Sequence, residues 1–450
     1  VCSSDLSHQF RQIYYEPFGE KVKIDIKEVN AFTREFSIDI PWEELESDFN
    51  ASMKAFNKKV KTPGFRPGKM PKDKLLAQYK PNIEAEFMED NFQKYYAMAL
   101  QEENLMPVNQ AEIKDVHFHY EAHFSFVAIF EIEPEIDLPK MKKNMLKVQK
   151  TTYVSDEQDL KDAIAQLKKS KARIETVEEG AVEGDFIICD LQKLDESGVA
   201  IIGKKFEDQY LKVGHGSFTD DQKDKLIGLK SGGTARMTIP ENKEGKTGEY
   251  DLTVKNVERE VLPDLDMNFI KLVDPDSKDE EAFRKNITEK IDENFAERSM
   301  EAYERDITDT FIEKTDPACP PSMVESYLGN LVEDVKKQNN GEPLDEEKVK
   351  ETYRPLAERN LKWYLVRKAL MRQEELSIDA KEAEAKVDEL VEKSPQSEKE
   401  IRKFYKKPSN IRHLEDDLME KKILAVLENY TKVKEVKVAT KTLRGEGASS

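Results

Sequence analysis

The sequence predicts an α+β protein of several domains, and three observations carry that expectation. Its 450 residues are more than one core usually organises, at roughly 150 residues per domain. The apolar period changes along the chain, from strict alternation near the start, through short runs between glycine turns, to helical spacing in the last third. The composition is 38% hydrophobic and 36% charged, yet it holds 21 Phe and 15 Tyr, and that aromatic content argues against disorder.

From Lys21 to Ile40, Val22, Ile24 and Ile26 and then Phe32, Phe36, Ile38 and Ile40 alternate, which predicts two half-buried strands turning near Asn30. Pro41-Trp42-Glu43-Glu44 opens a helix whose stripe is Leu45, Phe49, Met53 and Phe56, and Pro63-Gly64 ends it. A second helical region runs from Pro71 to about Asn104, with Pro81 expected to break it in two. His117 to Glu133 alternates again. Residues 22–150 therefore form one α+β domain of strands, two helices flanking a loop, and strands.

Ser155 followed by Asp156, Glu157 and Asp159 marks a helix start, with Leu160, Ile164 and Leu167 as its buried stripe. From Gly184 to Val261 helical periodicity vanishes. Phe186–Leu191, Ala235–Ile239 and Tyr250–Val257 alternate with glycine turns, a mostly antiparallel β domain over 151–262. Residues 263–440 are amphipathic helix, broken at Pro320-Pro321, Gly341-Glu342-Pro343 and Ser394-Pro395, with no heptad sustained long enough for a coiled coil. Residues 1–21 and 441–450 are set aside as a non-matching segment and a disordered tail.

The longest nearly apolar run, Phe124 to Phe130, is far short of the ~20 residues that span a bilayer. With no signal sequence in the first residues, the expectation is a cytoplasmic protein without membrane contact. Cys2, Cys189 and Cys319 are odd in number and far apart, and read as reduced thiols. A net charge of −19 argues against a general nucleic-acid binder. The balance reverses locally: between Lys54 and Lys74 stand eight Lys and Arg, with Asp73 the only acid.

Motifs for nucleophilic, phosphoryl-transfer and zinc-hydrolase chemistry are missing, and no cofactor is expected. His117 and His119 fall on one strand face with His123 nearby. No Cys or carboxylate at ligand spacing completes a metal set there, and a solvated face accounts for the pattern. The informative stretch is Thr62-Pro63-Gly64-Phe65-Arg66-Pro67-Gly68-Lys69-Met70-Pro71. It reads as an ordinary helix connection or as a docking tip. In the second reading Phe65 is exposed as an apolar anchor, Arg66 and Lys69 meet carboxylate or phosphate, and Lys58, Lys59, Lys61 and Lys72 form a steering patch. Three prolines stiffen the loop and limit the entropy lost on docking.

Gly64-Phe65-Arg66-Pro67-Gly68-Lys69-Met70-Pro71 is similar to the G-F-R-x-G-K-x-P loop of the bacterial trigger factors. The resemblance covers about residues 22–440 and includes Glu131-x-x-Pro134-Glu135-Ile136, Glu260-Val261-Leu262-Pro263-Asp264-Leu265 and Phe404-Tyr405. It implies an N-terminal ribosome-binding domain, an FKBP-like prolyl isomerase domain, and a C-terminal all-α domain of the trigger factor/SurA type. It also implies an ATP-independent chaperone. Gly64, Phe65, Arg66, Gly68 and Lys69 would dock it beside the ribosomal exit tunnel on a ribosomal protein and rRNA, where it shields unfolded nascent polypeptides. A homodimer of the free protein belongs to the same expectation. Pro67 stands where some members carry a third contacting Lys.

The isomerase pattern keeps Gly214, Gly216, Gly228, Gly232 and Leu226, but Thr219-Asp220-Asp221-Gln222 replaces Ile-Pro-Gly-Phe. Rotation about X-Pro meets a barrier of about 18–20 kcal/mol, which an apolar aromatic pocket lowers by desolvating and twisting the amide. A pocket marked by Leu191, Ile201, Phe218 and Gln222 is degenerate for that task, so weak or absent activity is expected. Phe186, Phe206, Tyr210, Phe218 and Tyr250 are expected in the core. In the helical third, Met323, Tyr327, Leu331, Leu361 and Leu365 either line a client cradle or build the core. The rival functions are an active prolyl isomerase and a ribosome-independent holdase.

Overall fold

The structure is a computed structural model describing residues 22–216, 218–240, 247–339 and 344–446. The first elements are β1 (Lys23–Glu28), β2 (Thr33–Pro41), α1 (Trp42–Lys59), α2 (Lys72–Glu102), β3 (Glu112–His119) and β4 (His123–Glu131). They build an antiparallel sheet in the order β1-β2-β4-β3, with Ile24 opposite Ile38 and Phe36 opposite Ala128. Alternation puts Phe36, Ile38 and Ile40 beside Phe124, Phe126, Ala128 and Phe130 on one face, where they are buried against Leu45, Phe49, Ile83 and Phe87 of the two helices. The expected break at Pro81 is present as a kink that divides α2 into two helical pieces. Tyr79 leaves helical geometry (φ −129°, ψ 15°) and the helix resumes, with Leu75 before the kink and Ile83, Phe87, Tyr95 and Tyr96 after it in one core.

Next come β5 (Leu146–Val154), α3 (Glu157–Ser170), β6 (Arg173–Val177), β7 (Phe186–Leu194), β8 (Ala200–Lys212), α4 (Asp220–Leu226), β9 (Thr234–Pro240) and β10 (Thr247–Val261). Asp156 caps α3, accepting from the Gln158 and Asp159 N–H groups while Asp159 accepts from its own. The middle sheet runs β6-β10-β7-β8, and the long β10 also pairs with β9. All its pairings are antiparallel.

The remaining elements are α5 (Met267–Val273), α6 (Glu280–Thr315), α7 (Pro321–Gln338), α8 (Glu346–Gln373), α9 (Ala380–Lys393), α10 (Glu398–Tyr405), α11 (Pro408–Asn429), β11 (Thr431–Ala439) and α12 (Lys441–Glu446). Strand β11 pairs with β5 in the otherwise helical last third. The expected structureless tail begins as α12 instead, because the Arg444 guanidinium bonds Asp156 and Asp159, and the Thr440 N–H donates to the Val154 carbonyl at 3.1 Å. Residues 1–21, the Gly341–Pro343 break and 447–450 lie outside the described residues.

The chain forms two compact units. The first comprises residues 22–149 and 303–434, the second 150–302 and 435–446. Within the first, Tyr303, Ile307, Phe311, Val366, Leu370, Ile423 and Leu427 share a helical core with Leu146 and Val148. Within the second, the α3 stripe of Leu160, Ile164 and Leu167 packs on Phe269, Ile270, Phe283 and Ile287, while Ile187, Cys189, Leu252, Val254 and Val257 fill the sheet's core.

Candidate functional site

The loop between α1 and α2 is two successive Pro-Gly turns. The Phe65 N–H donates to the Thr62 carbonyl at 3.2 Å and the Lys69 N–H to the Arg66 carbonyl at 3.0 Å, so Thr-Pro-Gly-Phe and Arg-Pro-Gly-Lys each close on themselves. Proline fits the second position of such a turn. Glycine fits the third, which needs positive φ: Gly64 has +87° and Gly68 +76°. Phe65 and Arg66 are the junction of the two turns.

Three bonds fix this unit to the helices. The Gly68 N–H donates to the Asn57 carbonyl at 2.8 Å, Asn57 Nδ2 donates to the Met70 carbonyl at 2.9 Å, and the Thr62 hydroxyl lies 3.1 Å from the Tyr79 hydroxyl. Met70 is buried beneath. Arg66 and Lys69 are exposed, but Phe65 is not the fully exposed tip expected. It is half-buried against the domain core with the Lys74 ammonium 5.4 Å from its ring centroid, because the second turn folds it back. Of the steering lysines, Lys58, Lys61 and Lys72 are exposed, while Lys59 is ion-paired with Glu86, whose hydrogen bond and charge raise its pKa.

In the middle sheet, Leu191 and Phe218 share one hydrophobic cluster, which does not include Ile201. The Ile201 carbonyl accepts from Gln192 Nε2 at 2.9 Å. Gln222 turns its Oε1 to the Thr238 N–H of β9 at 3.1 Å. Of the five aromatics expected inside, Tyr250 is buried, and Phe186 and Phe218 are half-buried. Phe206 and Tyr210 are exposed on the edge strand β8, opposite Leu191 and Ile188 respectively, with a bulge between them.

Met323, Leu361 and Leu365 are buried between α7, α8 and their neighbours and present no surface to a client; Tyr327 and Leu331 are half-buried. Burial gives those three the core-building alternative. Among the described residues no cluster of three or more His, Cys, Asp or Glu could hold a metal, and the His119 and His123 rings stand 5.1 Å apart. No helix among them is long and apolar enough to cross a membrane. Burial pushes the Cys189 thiol up to about 12 and the Cys319 thiol up to about 11, so neither is a ready nucleophile.

One set of contacts escaped sequence reasoning. Glu131 accepts from the N–H and hydroxyl of Ser322, Glu133 from Lys368, and Glu135 from Arg372. The alternating acids of Glu131-Ile132-Glu133-Pro134-Glu135 were the available signal, but nothing in one sequence says where they dock.

Two family models of the bacterial trigger factor protein match the chain, an N-terminal one over residues 22–167 and a C-terminal one over 281–428. The chain belongs to the trigger factor family. Among its relatives, the trigger factor of Bdellovibrio bacteriovorus is 26% identical over 431 residues, covering 92% of this chain and 98% of its own. That of Syntrophotalea carbinolica is 25% identical with 92% and 97% covered, and that of Desulfotalea psychrophila is 32% identical over 255 residues, 55% and 57%. A solved trigger factor chaperone structure aligns over 90% of this chain and 98% of that one, at 18% identity and a TM-score of 0.45, too distant to carry an argument. A trigger factor is a ribosome-associated chaperone that binds nascent chains, and this chain has that role by membership.

Proposed function

We propose that the loop of residues 62–71 docks this chaperone at the polypeptide exit tunnel, on a ribosomal protein and the adjoining rRNA, in the cytoplasm. The observation that carries the reading is the double Pro-Gly turn tied to Asn57 and Tyr79. It presents Arg66 and Lys69 on a frame that loses little entropy on binding. Phe65 supports the tip from below and adds its exposed edge to the contact. Lys58, Lys61 and Lys72 supply long-range attraction to phosphate.

The rest of the chain follows from tethering. Three modules, residues 22–150, 151–262 and 263–440, hold a weakly binding cradle beside the emerging client, and the tether raises the effective concentration there. Prolyl isomerisation contributes little, since Gln222 bonds the β9 backbone where the family pattern has an aromatic. An unpaired polar group is a poor wall for desolvating an amide, and a paired one is no better at gripping it. A proline-limited refolding assay with negligible acceleration supports this; turnover abolished by Phe218→Ala overturns it. Off the ribosome the chain pairs with a second copy, and sedimentation of the free protein as a single 52.0 kDa species removes that part of the reading.

The docking test is co-sedimentation with bacterial ribosomes over a salt series. Binding that weakens with salt and collapses in Phe65→Ala and in Arg66→Ala/Lys69→Ala supports the anchor. Binding indifferent to both makes the loop a connector and the molecule a ribosome-independent holdase.

A further inference from the structure

A second basic island lies far from the loop, on α10 and the turn after it. Between Glu398 and His413 stand Lys399, Arg402, Lys403, Lys406, Lys407 and Arg412, against Glu398 and Glu400, in a chain of net charge −19. Arg402 is engaged, 2.9 Å from Glu398 and 2.8 Å from Asp388. The other five cations are exposed, and among the described residues none of them forms an ion pair.

On α9, by contrast, Glu389 pairs with both Lys386 and Lys393. Here Lys399 and Lys403 lie four apart on α10, and Lys406 and Lys407 follow in the turn that leads into α11, so the four cluster without an ion-pair partner among the described residues. Beside them Phe404 is 55% exposed, its ring edge-on to Tyr405 at 5.1 Å and 87°. Asn410 Nδ2 donates to the Phe404 carbonyl at 2.8 Å, which fixes the turn behind the ring. Single exposed apolar residues are ordinary; a ring set in a cluster of free cations is the arrangement that binds single-stranded nucleic acid, phosphates on the cations and a base on the ring.

We propose that the surface formed by α10, the turn after it and the start of α11 binds single-stranded RNA through Lys399, Lys403, Lys406, Lys407, Arg412 and a base stacked on Phe404. The choice of RNA among polyanions rests on the ribosome-associated reading and on Phe404, since an acidic peptide uses the cations and has no need of the ring.

The experiment uses the full chain carrying Arg66→Ala/Lys69→Ala, which silences the loop, and a labelled oligouridylate of about 12 nucleotides, with affinity read by fluorescence anisotropy from about 50 to 200 mM salt. Four phosphate contacts give a log–log slope of about −3, at roughly −0.7 per contact. Lys403→Glu/Lys406→Glu/Lys407→Glu should flatten that slope by about two, and Phe404→Ala should weaken binding on the order of ten-fold with the slope unchanged. Circular dichroism confirms that both variants fold, α10 contributing no buried side chain. No RNA binding, no effect of Phe404→Ala, or an oligoglutamate that competes on equal terms overturns the proposal, the last pointing to acidic clients. RNA binding that survives while the unaltered chain fails to sediment with ribosomes leaves this surface standing and removes the docking reading instead.

Discussion

Glu133 accepts a hydrogen bond from the Lys368 ammonium at 2.7 Å, and it is the middle rung of three. Residues 131, 133 and 135 advance about 6–7 Å per pair along an extended segment, and Lys368 and Arg372, four apart on α8, advance about 6 Å. The two repeats match, so each carboxylate finds a partner: Ser322 for Glu131, Lys368 with Tyr364 for Glu133, and Arg372 for Glu135. The strand that ends the N-terminal sheet is thereby registered on the helices.

Disrupting the ladder should alter order more than stability. Lys368 and Arg372 are about half exposed, so each pair is worth about 1 kcal/mol or less. Lys368→Glu/Arg372→Glu is expected to leave the melting temperature nearly unchanged while hydrogen exchange quickens over residues 132–137. High salt should mimic it in the unaltered chain. Unchanged exchange in the variant means the registration comes from apolar packing alone.

Gly64→Ala tests the loop without removing any contacting side chain. A Cβ there meets open space, so the only penalty is that of holding an L-residue at φ +87°, about 1–2 kcal/mol. The first turn should relax and displace Phe65 and Arg66. Ribosome affinity should fall several-fold while α1 and α2 melt as before; equal affinity would show that turn geometry does not matter for docking.

Phe49→Ala attacks the platform beneath the loop. Phe49 is fully buried, with the rings of Trp42, Phe87, Phe118 and Tyr120 centred 5.1–5.5 Å away. A cavity among aromatics costs about 3–5 kcal/mol, to be read from chemical denaturation. A loss under about 1 kcal/mol would mean that the rings close over the gap.

Much of this was legible in one sequence because local physics dictated it. The alternation of Phe36, Ile38 and Ile40 gave β2 its buried face, and Pro63-Gly64 marked the connection after α1. What stayed hidden depends on partners distant in sequence. Phe206 and Tyr210 look like core, but they stand on β8, the edge of the sheet, and are exposed. Four of the nine residues of β11, Thr431–Ala439, are charged, and its strand conformation comes from pairing with β5.

The last prediction concerns pH, where two carboxyls act with opposite signs. Burial alone would push Asp185 up. Its paired bonds from Arg259 Nε and Nη2, both 2.9 Å, the Val182 N–H and the Arg259 charge outweigh that and hold it below the usual carboxylate range. Its contribution to stability is therefore present above the unfolded value, near 4, and is lost as pH falls through the folded one. Glu420 is the reverse. Burial raises it, against the Arg367 charge and the Trp363 N–H, so its contribution is complete below the unfolded value and is lost as pH rises through the folded one. Asp185→Asn should lower stability at pH 7 and converge with the parent near pH 2. Glu420→Gln, which can still accept from Trp363, should raise stability at pH 7 and converge near pH 4. The two carboxyls belong to different compact units, so thermal melts of both variants across this range read each sign separately. A Glu420→Gln chain less stable than its parent at neutral pH would mean that the Arg367 pair outweighs the burial of the charge.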